Sequence, residues 1–157
     1  MKNEKPTIII LTPGFPADEA DSTCLPLLQS VVTELKENYP RLDLVVLTFH
    51  YPFVKKTYKW KETEVISFNG SKKRNLFKLP LFISIWRKLK KIHREENVAG
   101  ILSIWCGECA WIGKKFSKKF GLKHYCWLWG QDARKGNKYV KRIHPSSNEL
   151  IALSDFL

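Results

Sequence analysis

A chain of 157 residues is long enough for one domain with its own core, and an apolar share of 44% beside 27% charged residues excludes a disordered tail. The net charge of +12 favours anionic partners (phosphate-bearing substrates, nucleic acid or an anionic membrane surface) without choosing among them. No apolar run approaches the roughly 20 residues that span a bilayer, and Ile8–Leu11 behind the charged Met1–Lys5 is too short for a signal-peptide core, so the expected location is cytoplasmic.

In chain order, the strand candidates are Thr7–Leu11, Leu42–Phe49, Glu64–Phe68, Gly100–Trp105, Lys123–Trp129 and Leu150–Leu153. Several are continuous apolar runs rather than alternating ones, as expected of strands buried on both faces of a parallel sheet. Helices are expected between them. The first covers about Leu25–Asn38, with Leu25, Leu28, Val31 and Leu35 on one face, Pro26 in its first turn and Ser22 or Thr23 as its cap. The second covers roughly Leu81–Asn97, with Leu81, Ile85, Leu89 and Ile92 inward and Arg87, Lys88, Lys90, Lys91 and Arg94 outward. The third covers Glu108–Phe120, where Gly113 removes a side chain at the place a helix would press on the sheet. The order β-α-β-β-α-β-α-β predicts an α/β fold, a Rossmann-like and mostly parallel sheet with helices on both faces. Leu150–Leu153 followed by the helix-like start Ser154–Leu157 gives the expectation that the chain is the front part of a longer protein.

The stretch from Gly100 to Asp132 is a βαβ pattern whose strands aim their C-terminal ends at one sheet edge, where ligands of open α/β sheets sit. Trp129-Gly130-Gln131-Asp132-Ala133-Arg134 follows the second of these strands. Gln131, Asp132 and Arg134 supply acceptors and donors for hydroxyls or phosphate, and Gly130 permits close backbone approach. Trp105 to Glu108 forms the loop after the first. The loop from Gly14 to Thr23 joins a strand to a helix N-terminus, where free N–H groups favour phosphate. Neither a G-x-G-x-x-G nor a P-loop pattern is present.

Other readings of the same residues stand beside these. Trp105-Cys106-Gly107-Glu108-Cys109 has the form of a thioredoxin-type Cys-x-x-Cys opening a helix. About 100 residues of α/β pattern precede it, however, and His144-Pro145-Ser146 lies in a polar loop instead of before a strand. Cys106, Cys109, His124 and Cys126 offer four zinc-type ligands, although the second pair lacks the spacing of known modules. Without export signals the four cysteines, Cys24 among them, read as reduced thiols. The basic segment Lys72–Arg94, interleaved with Leu76, Phe77, Phe82, Ile83 and Trp86, is either a solvated helix face or a peripheral contact with an anionic membrane. No nucleic-acid recognition motif appears.

Four features in their order, Ile8-Ile9-Ile10-Leu11-Thr12-Pro13-Gly14-Phe15-Pro16, the small-residue helix Ala110 to Gly121, Trp129-Gly130-Gln131-Asp132 and Leu150-Ile151-Ala152-Leu153-Ser154, resemble the N-terminal half of a GT-B glycosyltransferase of group 1, also called family 4. The resemblance spans essentially the whole chain. It implies a retaining, nucleotide-sugar-dependent transferase acting on a sugar or lipid-linked acceptor, in cell-surface polysaccharide or glycolipid assembly. Residues 1–157 would then be the acceptor-side domain, inactive or nearly so alone, with the donor-binding domain outside the chain. Two departures stand out. A Gly-Gly pair frequent in the first loop is here the single Gly14, and a His-Gly at the end of the fifth strand is here Trp129-Gly130, whose ring suits stacking on a sugar. The expected substrate-binding set is Gly14, Phe15, Trp105, Glu108, Trp129, Gln131, Asp132 and Arg134. No residue is assigned to catalysis, and no metal or resident cofactor is expected, the nucleotide-sugar being a co-substrate.

Overall fold

The computed structural model of the chain describes residues 4–70, 78–134 and 136–152. Its central strand is β1 (Pro6–Gly14), whose β-branched isoleucine run fits a pleated surface covered on both sides. It pairs in parallel with β2 (Asp43–Tyr51) and β5 (Asn97–Ile104). β4 (Thr63–Ser67) extends the sheet from β2, and β3 (Lys56–Trp60) lies antiparallel on its outer side. On the other flank, β6 (Lys123–Trp127) joins β5, and β7 (Leu150–Ile151) joins β6. The sheet order is β3-β4-β2-β1-β5-β6-β7, and only the β3–β4 pair is antiparallel.

Side chains of successive strand residues leave opposite faces, and each face has its own core. On one face Ile9, Leu11, Val45, Leu47 and Ile101 pack against α2 (Lys78–Glu95) and α3 (Glu108–Phe120) through Leu81, Ile85, Leu89, Ile112 and Phe116. On the other, Ile10, Leu44, Val46 and Val65 pack against Leu28 and Val32 of α1 (Pro26–Asn38). The fold class and the inward face of α2 are those expected from the sequence. Gly113 also has the expected role: a Cβ there would lie 2.5 Å from Ser103 Oγ and 2.7 Å from His124 Nε2.

Several details differ. The sequence reading contains no β3. The turn between β3 and β4 places Lys61 and Glu62 at φ 41° and 62°, a left-handed pair normally built from Asn-Gly. Neither Ser22 nor Thr23 caps α1. Its N-cap is Leu25 in the left-handed region, and the preceding loop is organised by Asp21, which accepts from Ala17 N (3.1 Å), Cys24 N (3.3 Å) and the Tyr51 hydroxyl (2.7 Å). With Pro26 in the first turn, one N–H fewer needs capping. α2 ends at Glu95, because Asn97 already belongs to β5. A short helix, α4 (Lys138–Ile143), is additional, started by Asn137 accepting from Tyr139 N at 2.9 Å. The part of Lys72–Arg94 before Lys78, Leu153, and the helix start expected at Ser154–Leu157 lie outside the described residues. Among the described residues no helix is long and apolar enough to cross a membrane.

Candidate functional site

All the parallel strands end on one edge. The chain passes from β1 to β2 on one side and later enters β5 on the other, so the edge above β1 and β5 is the topological switch point at which α/β sheets open a crevice. A cavity of about 490 Å³ lies on this edge, walled by the loops after β5 and β6: Trp105, Cys106, Gly107, Trp129, Gln131 and Asp132. The two indoles meet edge to face, with ring centroids 5.9 Å apart, and Trp129 stands in the same way on Trp127 at 5.4 Å. Trp105 leaves β5 with φ 66°, an uncommon conformation for so bulky a residue, and the residue remains 38% exposed. Gly130, at φ 100°, makes the corresponding bend after β6 without a Cβ to oppose it.

Asp132 holds the two loops together. Its carboxylate accepts Cys106 N at 2.7 Å and Trp129 N at 2.9 Å. Asn137 repeats the tie, donating through Nδ2 to Cys106 O and Asp132 O, both at 2.7 Å. Asp132 therefore lines the cavity mainly as its internal fastening. Gln131 stands exposed beside it.

Glu108, the first residue of α3, faces a smaller hollow of about 80 Å³ shared with Pro13, His50 and Trp105. His50 Nε2 lies 3.4 Å from its Oε2. Lys78 Nζ donates to Oε1, and the Tyr139 hydroxyl donates to the same oxygen at 3.4 Å. The close approach of His50, joined by the hydrogen bond from Lys78, outweighs burial and holds the Glu108 carboxyl at about 2. Glu108 is thus a fixed anion at neutral pH, not a proton donor. His50, Lys78, Tyr139 and Asn137 are absent from the sequence-derived set. For His50 a signal existed, since it follows the apolar run of the second strand at the same C-terminal edge.

The remaining expected residues lie elsewhere. Phe15 is fully buried, edge to face on Trp60 at 5.1 Å, so its side chain belongs to the core and presents no surface to a substrate. Gly14 is buried beside Cys24 and Tyr51. Arg134 is exposed at the end of the turn after Asp132 and does not line the cavity. In the loop after Gly14 the backbone N–H groups of Ala17 and Cys24 already have an anion, the Asp21 carboxylate, which disfavours the phosphate seat expected there.

The thiols are inward. Cys106 and Cys109 form no disulfide and are buried; burial pushes the Cys109 thiol well up, while hydrogen bonding to Cys106, joined by burial, raises that of Cys126. Hydrogen bonding from Cys126 lowers the Cys106 thiol, but a thiol-exchange protein also needs an accessible cysteine, and burial of both Cys106 and Cys109 denies it. His124 pairs with Ser103 at 2.9 Å, and burial lowers its pKa to about 4, so it is a neutral core residue. Among the described residues no three His, Cys, Asp or Glu side chains are grouped as metal ligands.

No family model and no curated protein matches the chain. Solved structures share its fold. One is a UGT transferase from Siraitia grosvenorii in complex with UDP, at 16% identity and TM-score 0.53, aligned over 78% of this chain and 24% of that one. Another is sucrose-phosphate synthase from Thermosynechococcus elongatus, at 12% identity and TM-score 0.58, aligned over 88% of this chain and 38% of that one. The sheet and its helices thus have the GT-B type Rossmann-like arrangement of these two structures, and the chain spans well under two thirds of either.

Proposed function

We propose that the chain is the acceptor-side domain of a retaining, nucleotide-sugar-dependent glycosyltransferase of the family 4 type, working with a second, donor-binding domain in polysaccharide or glycolipid assembly on the cytoplasmic side. The observation that carries this reading is the cavity between Trp105 and Trp129 at the C-terminal edge of the parallel strands. A sugar ring presents C–H faces and hydroxyl edges. Indole faces bury the former, while Gln131 pairs with the latter. Arg134, at the rim, can swing to a phosphate or hydroxyl. Glu108, kept ionised by His50 and Lys78, gives the edge a fixed charge that orients an acceptor without exchanging protons. The fold shared with a transferase whose structure holds UDP supports a nucleotide-sugar as donor.

The test is transfer from a panel of radiolabelled nucleotide-sugars to lipid-linked and free sugar acceptors by the gene's complete product. Trp129→Ala and Gln131→Ala are expected to raise the acceptor KM at least tenfold while leaving the donor KM within twofold. Unchanged acceptor kinetics in both variants would remove the cavity from the reaction.

A further inference from the structure

A second surface, on the opposite side of α3 from the sheet, has a different chemistry. Between α2 and α3 runs an open apolar groove of about 370 Å³, with Phe82 and Trp111 at its base 5.7 Å apart and Leu79 and Ile83 at its lip. Leu79 is 66% and Ile83 42% exposed, although both sit on a helix that already buries Leu81, Ile85, Leu89 and Ile92 on its other side. The same groove carries Arg87 and Lys90, which also line an adjoining hollow of about 360 Å³ with Arg94. Positions 79, 83, 87, 90 and 94 recur at helical spacing, so one outward stripe of α2 is apolar at its start and cationic at its end. No carboxylate lines either hollow. The salt bridges of α2 instead use Lys78 with Glu108, Lys88 with Glu64 and Lys91 with Glu95, and among the described residues Arg87, Lys90 and Arg94 form none.

We infer that this α2–α3 face seats the domain on an anionic lipid bilayer. The groove offers apolar side chains and cations but no amide or hydroxyl side chain for directional pairing, which fits a laterally fluid surface of acyl chains and phosphates better than the patterned edge of a protein or a base. Leu79 and Ile83 enter the acyl boundary, Trp86 and Trp111 sit at headgroup depth, and Arg87, Lys90 and Arg94 meet lipid phosphates. Lys115, stacked 4.3 Å over the Trp111 ring, extends the cationic rim onto α3. The inference is independent of the transferase reading.

Flotation of the purified chain with phosphatidylcholine vesicles, with and without phosphatidylglycerol, tests it. Binding is expected only with the anionic lipid. It should weaken by about twenty-fivefold or more in Arg87→Glu/Lys90→Glu, about fivefold or more per reversed charge, and fall clearly in Leu79→Ser/Ile83→Ser. Lys55→Glu/Lys59→Glu, which makes the same change in net charge at the far edge of the sheet, should bind as wild type; far-UV circular dichroism checks that each variant is folded. Equal losses in the two charge-reversal variants would reduce the effect to overall charge and overturn the assignment. So would undiminished binding in the groove variants, equal binding to phosphatidylcholine alone, or binding to a polynucleotide through Arg87 and Lys90 with none to vesicles.

Discussion

Asp132 accepts the backbone N–H of Cys106 at 2.7 Å across a separation of 26 residues in sequence, and thereby fixes the loop after β5 to the loop after β6. A charged acceptor of two part-buried N–H groups is worth more than a neutral one, and losing it leaves both donors unpaired. Asp132→Ala is expected to destabilise the domain by about 2 to 4 kcal/mol. Asp132→Asn, which keeps one acceptor oxygen, should cost roughly half as much. Urea unfolding monitored by tryptophan fluorescence measures both, and a wild-type midpoint in Asp132→Ala would show that the two loops are held by other contacts.

Trp129 separates shape from hydrogen bonding. Its indole N–H is buried with no hydrogen-bond partner among the described residues. Trp129→Phe removes that donor yet retains an aromatic face, so stability should change by less than about 1 kcal/mol, and sugar binding, read by isothermal calorimetry, should be largely retained. Trp129→Ala deletes the wall and should abolish measurable binding. Loss of binding in the Phe variant as severe as in Ala would mean that the N–H, not the ring face, is what the ligand uses.

Gly113 reverses an ordinary rule. In a helix interior, replacing Gly by Ala normally gains up to about 1 kcal/mol. Here the added methyl would overlap the Ser103 hydroxyl and His124 Nε2. Gly113→Ala should therefore destabilise by about 1 to 3 kcal/mol, the range for overpacking, as measured by thermal unfolding. A rise in Tm would show that the Ser103–His124 pair shifts aside at little cost.

Acid should weaken the fold in two steps. The His124 pKa falls from 6.5 to about 4 in the native state because burial disfavours its charge. Between these values the unfolded chain binds a proton that the native chain refuses, so stability is complete above pH 6.5 and declines as pH drops to 4, by about 3 kcal/mol in all. Glu108 acts lower down. Its native value of about 2 lies below the ordinary 4.5, so its contribution is complete above 4.5 and is lost as pH falls towards 2. Urea midpoints across pH 7 to 4 for wild type and His124→Gln measure the first step, since the variant should lose the slope. An identical slope in both proteins would place the titration elsewhere.

How far these features are legible in the sequence depends on the distance over which each is decided. α3 has the bounds predicted for it because its signals are local: an acidic first turn at Glu108, small residues at Ala110 and Gly113, and Gly121 in the left-handed region at its end. The cavity walls Trp105, Trp129 and Gln131 are legible because they follow apolar runs that must end at one sheet edge. Phe15 is misread for a non-local reason. It follows Gly14 as a loop residue would, but its partner Trp60 sits on β3, a strand whose turn lacks the usual residues. The binding of Glu108 by His50 and Lys78, and the fastening by Asp132, are likewise decided by residues tens of positions away, which no spacing rule reports.

β3 has a consequence for solubility. It is the outer rim of the sheet on that flank, and a rim strand exposes backbone donors and acceptors that another polypeptide can copy, the first step of amyloid-like growth. In Lys56-Thr57-Tyr58-Lys59-Trp60 the apolar Trp60 turns inward while Lys59 points to solvent, 72% exposed. A partner strand docking there would have to desolvate that ammonium. Lys59 thus stands where a charge opposes strand-to-strand growth at a sheet edge.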